Sequence, residues 1–126
     1  SINDQSNSAD GPGIAAMFAN YANGINTGNY EHAYAVLSTR AQSLTSYDAF
    51  SQGEASSYIV TLSITAVTPA ASKDSAEVEF TSVQDATAGG NGQGCSNWKM
   101  TYTLVSSGGS WLIDTARPHP GSPAAC

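Results

Sequence analysis

Charge is scarce in this chain. Lys and Arg number 4 against 10 Asp and Glu, and charged residues make up 11% of 126. A formal net charge of −6 repels phosphate backbones and anionic lipid, so nucleic acid and a basic membrane anchor are both excluded as partners. Long hydrophobic runs are missing too. No apolar stretch approaches the roughly 18 residues of a membrane-spanning helix, so no membrane insertion by this segment is expected. The low charge does not signal disorder, because hydrophobic residues reach 40% and can build a core. The surface must then be covered by Ser, Thr, Asn, Gln and Gly. The length suffices for one domain and not for two.

Cysteine is limited to Cys95 and Cys126. An even count on a Ser/Thr/Gly-rich, lysine-poor chain predicts one disulfide and an extracytoplasmic setting, secreted or as the ectodomain of a membrane protein. The bridge would close a loop of about 30 residues, contributing roughly 3–4 kcal/mol in the chain-entropy model. Two cysteines cannot complete a tetrahedral zinc site, so no metal and no cofactor are expected. The chain starts at Ser1 without a methionine or signal peptide, and the expectation is a piece trimmed from a longer product.

What is present is an ordered succession of elements. Residues 1–11 read as a polar linker, 12–117 as an α+β domain, and 118–126 as a proline-rich strap held by Cys126. Ile14, Met17, Phe18, Tyr21, Ala22 and Ile25 fall on one helical stripe. Gly28 ends that helix and Asn29 caps the next, whose stripe is Tyr30, Ala33, Tyr34 and Leu37. A third short helix starts at Thr45 or Ser46, with Tyr47 and Phe50 as its buried residues. The apolar period then becomes two. Strands run through Tyr58 to Val67, Ala76 to Thr81, Trp98 to Val105 and Trp111 to Ala116. Helices followed by four strands predict N-terminal helices packed on a curved antiparallel sheet. Glu77, Glu79 and Lys99 share the outer face, which predicts a cross-strand ion pair.

The segment from Tyr21 to Ser38, with its Thr27-Gly28-Asn29-Tyr30 turn, and the closing hairpin Gly108-Gly109-Ser110-Trp111-Leu112-Ile113-Asp114 resemble the nuclear transport factor 2-like (cystatin-like cone) superfamily over about Pro12 to Ala116. That resemblance implies a cone-shaped α+β fold. It extends to non-catalytic extracytoplasmic members of actinobacteria, attached to serine/threonine kinases or lipoproteins, and the superfamily also contains ketosteroid-isomerase-like and polyketide-cyclase-like enzymes. Fold alone does not choose between them.

The inward registers are almost wholly apolar, with polar tips only at Tyr21, Tyr34, Tyr58, Trp98 and Tyr102. These predict a pocket for a flat or apolar ligand, fixed by hydroxyl hydrogen bonds. No catalytic residue is identified. His32 lies off its helix stripe, His119 sits among prolines, and Asp114 is expected to face outward toward Arg117 or Arg40. The glycine-rich Thr87 to Gly94 lacks a following Gly-Lys-Ser/Thr and a helix, so it is no phosphate loop. The expected function is a non-catalytic sensor-type domain binding a small molecule or protein. The alternatives are a small cyclase- or isomerase-like enzyme using the cone, and a structural module that dimerises through the open sheet face.

Overall fold

The computed structural model describes residues 2–88 and 90–126. A short strand β1 (Ile2–Asp4) leads into helix α1 (Gly11–Asn26). Three short helices follow, α2 (Tyr30–Tyr34), α3 (Thr39–Leu44) and α4 (Tyr47–Glu54). Strands β2 (Tyr58–Thr68), β3 (Asp74–Val83), β4 (Cys95–Ser107) and β5 (Ser110–Pro118) form an antiparallel meander, and β6 (Ala124–Ala125) closes the chain. The sheet order is β1-β2-β3-β4-β5, with β1 parallel to β2 and β6 on β4. The architecture is thus α+β as expected, with an added strand at each terminus. Ile2 to Asp4, within the stretch read as a linker, pair with Leu62 to Ile64.

The stripe of α1 folds as its spacing dictates. Ile14, Met17, Phe18, Ala22 and Ile25 are buried against the sheet, each contributing on the order of 1.5–3 kcal/mol for the larger side chains. Gly24 permits a close crossing of α2, since a Cβ there would lie 2.8 Å from the Ala33 nitrogen. At the end of α1 the Asn26 side chain accepts from the Ile59 N–H at 2.7 Å and donates to the Ile59 carbonyl at 2.9 Å.

The Asn29 side chain caps α2 by accepting from the His32 N–H, but α2 ends at Tyr34 rather than running through Leu37. The reason lies in the sheet. The Ser38 N–H donates to the Ile113 carbonyl at 2.8 Å, and the Ile113 N–H donates to the Val36 carbonyl at 2.9 Å. Ser38 then caps α3, and Ser46 caps α4. The apolar spacing does not predict α3, while α4 starts where expected, after Ser46.

Bulges set which side chains point inward. On β2, Ile59 pairs with Ser82 and Thr61 with Thr81, leaving Val60 as an extra residue. On β5, Ile113 pairs with Leu104 and Thr115 with Thr103, leaving Asp114 as the extra residue. The C-terminal strap runs on along β4. Its Cys126 is bonded to Cys95, with Cα atoms 5.4 Å apart, and its Ser122 hydroxyl accepts from the Lys99 N–H at 2.9 Å.

Candidate functional site

Helices and curved sheet leave a cavity of about 350 Å³ at one end of the cone. From α1 come Tyr21 and Ile25, and from the strands come Leu62, Phe80, Trp98, Met100 and Tyr102. Glu54, the last residue of α4, also lines it. A neighbouring groove of about 400 Å³ shares Tyr21, Leu37, Glu54 and Ile113, and extends to Leu44 and Phe50. Leu44 is 72% exposed on that outer rim. A depression of about 560 Å³ on the outer sheet face is larger. Thr61, Ser63, Thr81, Asn97 and Lys99 give it a polar lining, whereas ligand cavities are mostly apolar with a few placed polar groups.

The aromatic walls are fixed from behind. Phe80 and Trp98 are cross-strand partners and stack, centroids 5.7 Å apart at 13°. The Trp98 Nε1–H donates to Ser82 Oγ at 3.0 Å, and Ser82 Oγ donates to Gln84 Oε1 at 2.7 Å. Gln84 Nε2 in turn donates to the Gln93 carbonyl at 2.7 Å, and Gln93 Nε2 to the Pro123 carbonyl at 3.3 Å. This chain of bonds links the orientation of Trp98 to the disulfide-held strap. Tyr102 packs edge-on to Phe18, centroids 5.0 Å apart.

Three ionisable groups meet in the cavity. Burial pushes the Glu54 carboxyl above the usual carboxylate range, with the Ser57 hydroxyl working the other way. Burial and then the Glu54 charge raise both Tyr21 and Tyr102. Among the described residues no salt bridge reaches Glu54; the ion pairs present join Arg40 and Lys73 to Asp114, and His119 to Glu77. A half-buried acid that shares a cavity with two tyrosines can accept or share a proton with a bound molecule.

Of the tyrosine and tryptophan positions expected to line a pocket, Tyr21, Trp98 and Tyr102 do so. Tyr34 does not: its hydroxyl donates to the Thr45 carbonyl at 2.7 Å and ties α2 to the C-terminal end of α3. Tyr58 does not either. It is 51% exposed, because the β2 bulge shifts the inward register to Ile59 and Leu62. The sequence reading missed Glu54, yet it continues the spacing of Tyr47 and Phe50 as i, i+3, i+7. That spacing was the available signal.

Asp114 is a further correction. It is buried, accepting from Ser38 Oγ at 2.7 Å and Lys73 Nζ at 2.7 Å, with Arg40 at 3.8 Å. Lys73 and Ser38 hold its carboxyl below the usual range. The bulge makes it follow Ile113 inward, so alternation misassigned it. His32 is exposed as expected. Lys99 faces Glu79 across β3 and β4, but Glu77 pairs instead with His119, Nε2 to Oε1 at 2.7 Å. Thr101 Oγ1 lies 2.9 Å from that same nitrogen. A hydroxyl and an acid on one ring nitrogen do not make a nucleophile relay, which needs them on opposite nitrogens. Among the described residues no group of three or more His, Cys, Asp or Glu is placed to hold a metal, and no helix is long and apolar enough to cross a membrane.

No family model matches the chain. No curated protein matches it either. Solved structures do. A protein from Xanthomonas campestris described as a calcium/calmodulin-dependent protein kinase II association domain superposes with a TM-score of 0.64 at 14% identity, covering 90% of this chain and 91% of that one. A protein with a cystatin-like fold from Nostoc punctiforme gives 0.62 at 11%, covering 92% and 96%. A nuclear transport factor 2-like protein of unknown function from Shewanella baltica gives 0.55 at 14%, covering 87% and 94%. At such identities the likeness is one of fold: this chain has the nuclear transport factor 2-like, cystatin-like architecture.

Proposed function

We propose that this domain is a non-catalytic, extracytoplasmic ligand-binding module of the sensor type, working as part of a larger membrane-attached or secreted protein, as the actinobacterial resemblance suggests. The observation that carries the reading is the cone cavity of about 350 Å³. Its size falls in the range of small-molecule sites, and its walls are aromatic and aliphatic with a few polar groups. The Cys95–Cys126 bridge supports an oxidising compartment. The Xanthomonas neighbour's description as an association domain supports a role in contact rather than chemistry. A homodimer through the sheet is less favoured, because Thr61, Ser63, Thr81 and Asn97 make the outer face polar.

Calorimetric titration with 2-naphthylmethanol, a flat neutral probe, tests the reading. Saturable binding that shifts the Trp98 indole N–H resonance, and that Trp98→Ala abolishes, is the expected outcome. Absence of binding by this probe, by larger neutral aromatic alcohols and by their cationic and anionic counterparts refutes the ligand role.

One observation favours a second reading. Glu54, raised by burial and set beside Tyr21 and Tyr102, has the environment of a general acid or base in an isomerase- or cyclase-like enzyme. Turnover in a screen of enolisable ketones, lost in Glu54→Gln, would establish that activity.

A further inference from the structure

Among the described residues, Glu54 is the sole charged side chain lining the cavity. No Lys, Arg or His shares that lining. The adjoining groove brings Arg40, but its guanidinium is turned to Asp114, 3.8 Å from Oδ2. The half-buried carboxylate therefore lies in an apolar chamber without a protein cation. Desolvating a charge is unfavourable unless an opposite charge or donor set compensates it. Its compensation inside the protein is one neutral donor, the Ser57 hydroxyl, which lines the same cavity.

Two further features point the same way. Tyr21, Phe80, Trp98 and Tyr102 line the cavity, and aromatic faces attract cations. The whole chain carries a net charge of −6, which draws cations toward the site and repels anions. We infer that the cone selects an apolar cation, a protonated amine on a flat or aliphatic body, whose ammonium meets Glu54 while its body lies against Phe80 and Trp98. Carboxylates and phosphates of the same shape are repelled by an acid that has no cationic partner among the described residues. This inference rests on the ligand-binding reading above and narrows it to a chemical class.

Three isosteric probes test it at neutral pH: 2-naphthylmethylammonium, 2-naphthylmethanol and 2-naphthoate. The expected order of affinity is ammonium at least tenfold tighter than alcohol, with the carboxylate weaker still. In Glu54→Gln, confirmed as folded by its melting curve, the ammonium should fall to within about threefold of the alcohol. Equal affinity for the three probes, or a preference for the carboxylate, overturns the inference while leaving the cavity a binding site. Failure of all three to bind refutes the ligand-binding reading itself. An ammonium preference that persists in Glu54→Gln overturns the role given to Glu54.

Discussion

Along β4 the inward side chains run Leu104, Tyr102, Met100, Trp98, and the packing around them changes from one end of the cone to the other. At the Leu104 end, Leu104, Ile14, Phe18, Ile64 and Ala76 are all 0% exposed. At the Trp98 end, Phe80, Tyr21 and Trp98 are only partly buried and enclose space. The same three strands and one helix build both ends. The difference is the cover: α1 fills the first end with Ile14 and Phe18, whereas α4, just over two turns long by its 8 residues, reaches the second with Phe50, Gly53 and Glu54. One end is thus a filled core and the other encloses a cavity.

The strongest test of that division is a pair of truncations. Phe18→Ala at the sealed end should destabilise by about 3–5 kcal/mol, the usual loss for a fully buried aromatic. Trp98→Ala at the open end should cost distinctly less, because part of its surface already faces solvent or cavity. Chemical denaturation of both variants checks this, and equal losses would mean that the open end is core after all.

A smaller effect separates two carboxylates by the sign of their pH dependence. Asp114 has a lowered pKa, so its stabilisation is present above about 3.8, the unfolded value, and is lost as pH falls through the lower folded value. Asp114→Asn should therefore lose about 1.5–3 kcal/mol near neutrality, the worth of hydrogen bonds to a charged group, and less in strong acid. Glu54 has a raised pKa, so its contribution favours the fold below its unfolded value and is lost as pH rises through the folded one. Glu54→Gln should be no less stable than the parent at pH 7, with any advantage fading in acid. Melting temperatures of the three proteins across pH decide it. A Glu54→Gln variant markedly weaker at pH 7 would make that acid structural.

The contrast between the ends also marks what could be read beforehand. Helix α1 was legible because its apolar residues obey one period without interruption from Ile14 to Ile25. Cys95 and Cys126 were legible as a pair because nothing else could partner them. The errors came where regular alternation stopped. One extra residue at Val60 sent Tyr58 outward, and one at Asp114 brought a carboxylate inward beside Ile113. Such bulges are set by the register of one strand against the next, and neither local sequence carries a mark of them. The loss of α2 after Tyr34 has the same origin, since Val36 and Ser38 exchange helix bonds for bonds with Ile113. The pocket was half visible, through Tyr21, Trp98 and Tyr102. Its acid was hidden because a buried helix stripe is marked by apolar residues, and Glu54 continues the stripe of Tyr47 and Phe50 without being one.

The side-chain amide of Asn26 offers Ile59 a carbonyl and an N–H in the places where an adjoining strand would present its own. It is a counterfeit neighbour. Together with β1 a few residues further on, it occupies part of the rim of β2 that would otherwise template another extended chain. The two exposed apolar residues on that rim, Tyr58 and Val60, are thereby flanked by spent bonding positions. A domain with so few lysines to discourage edge pairing has used one amide to guard against its own polymerisation.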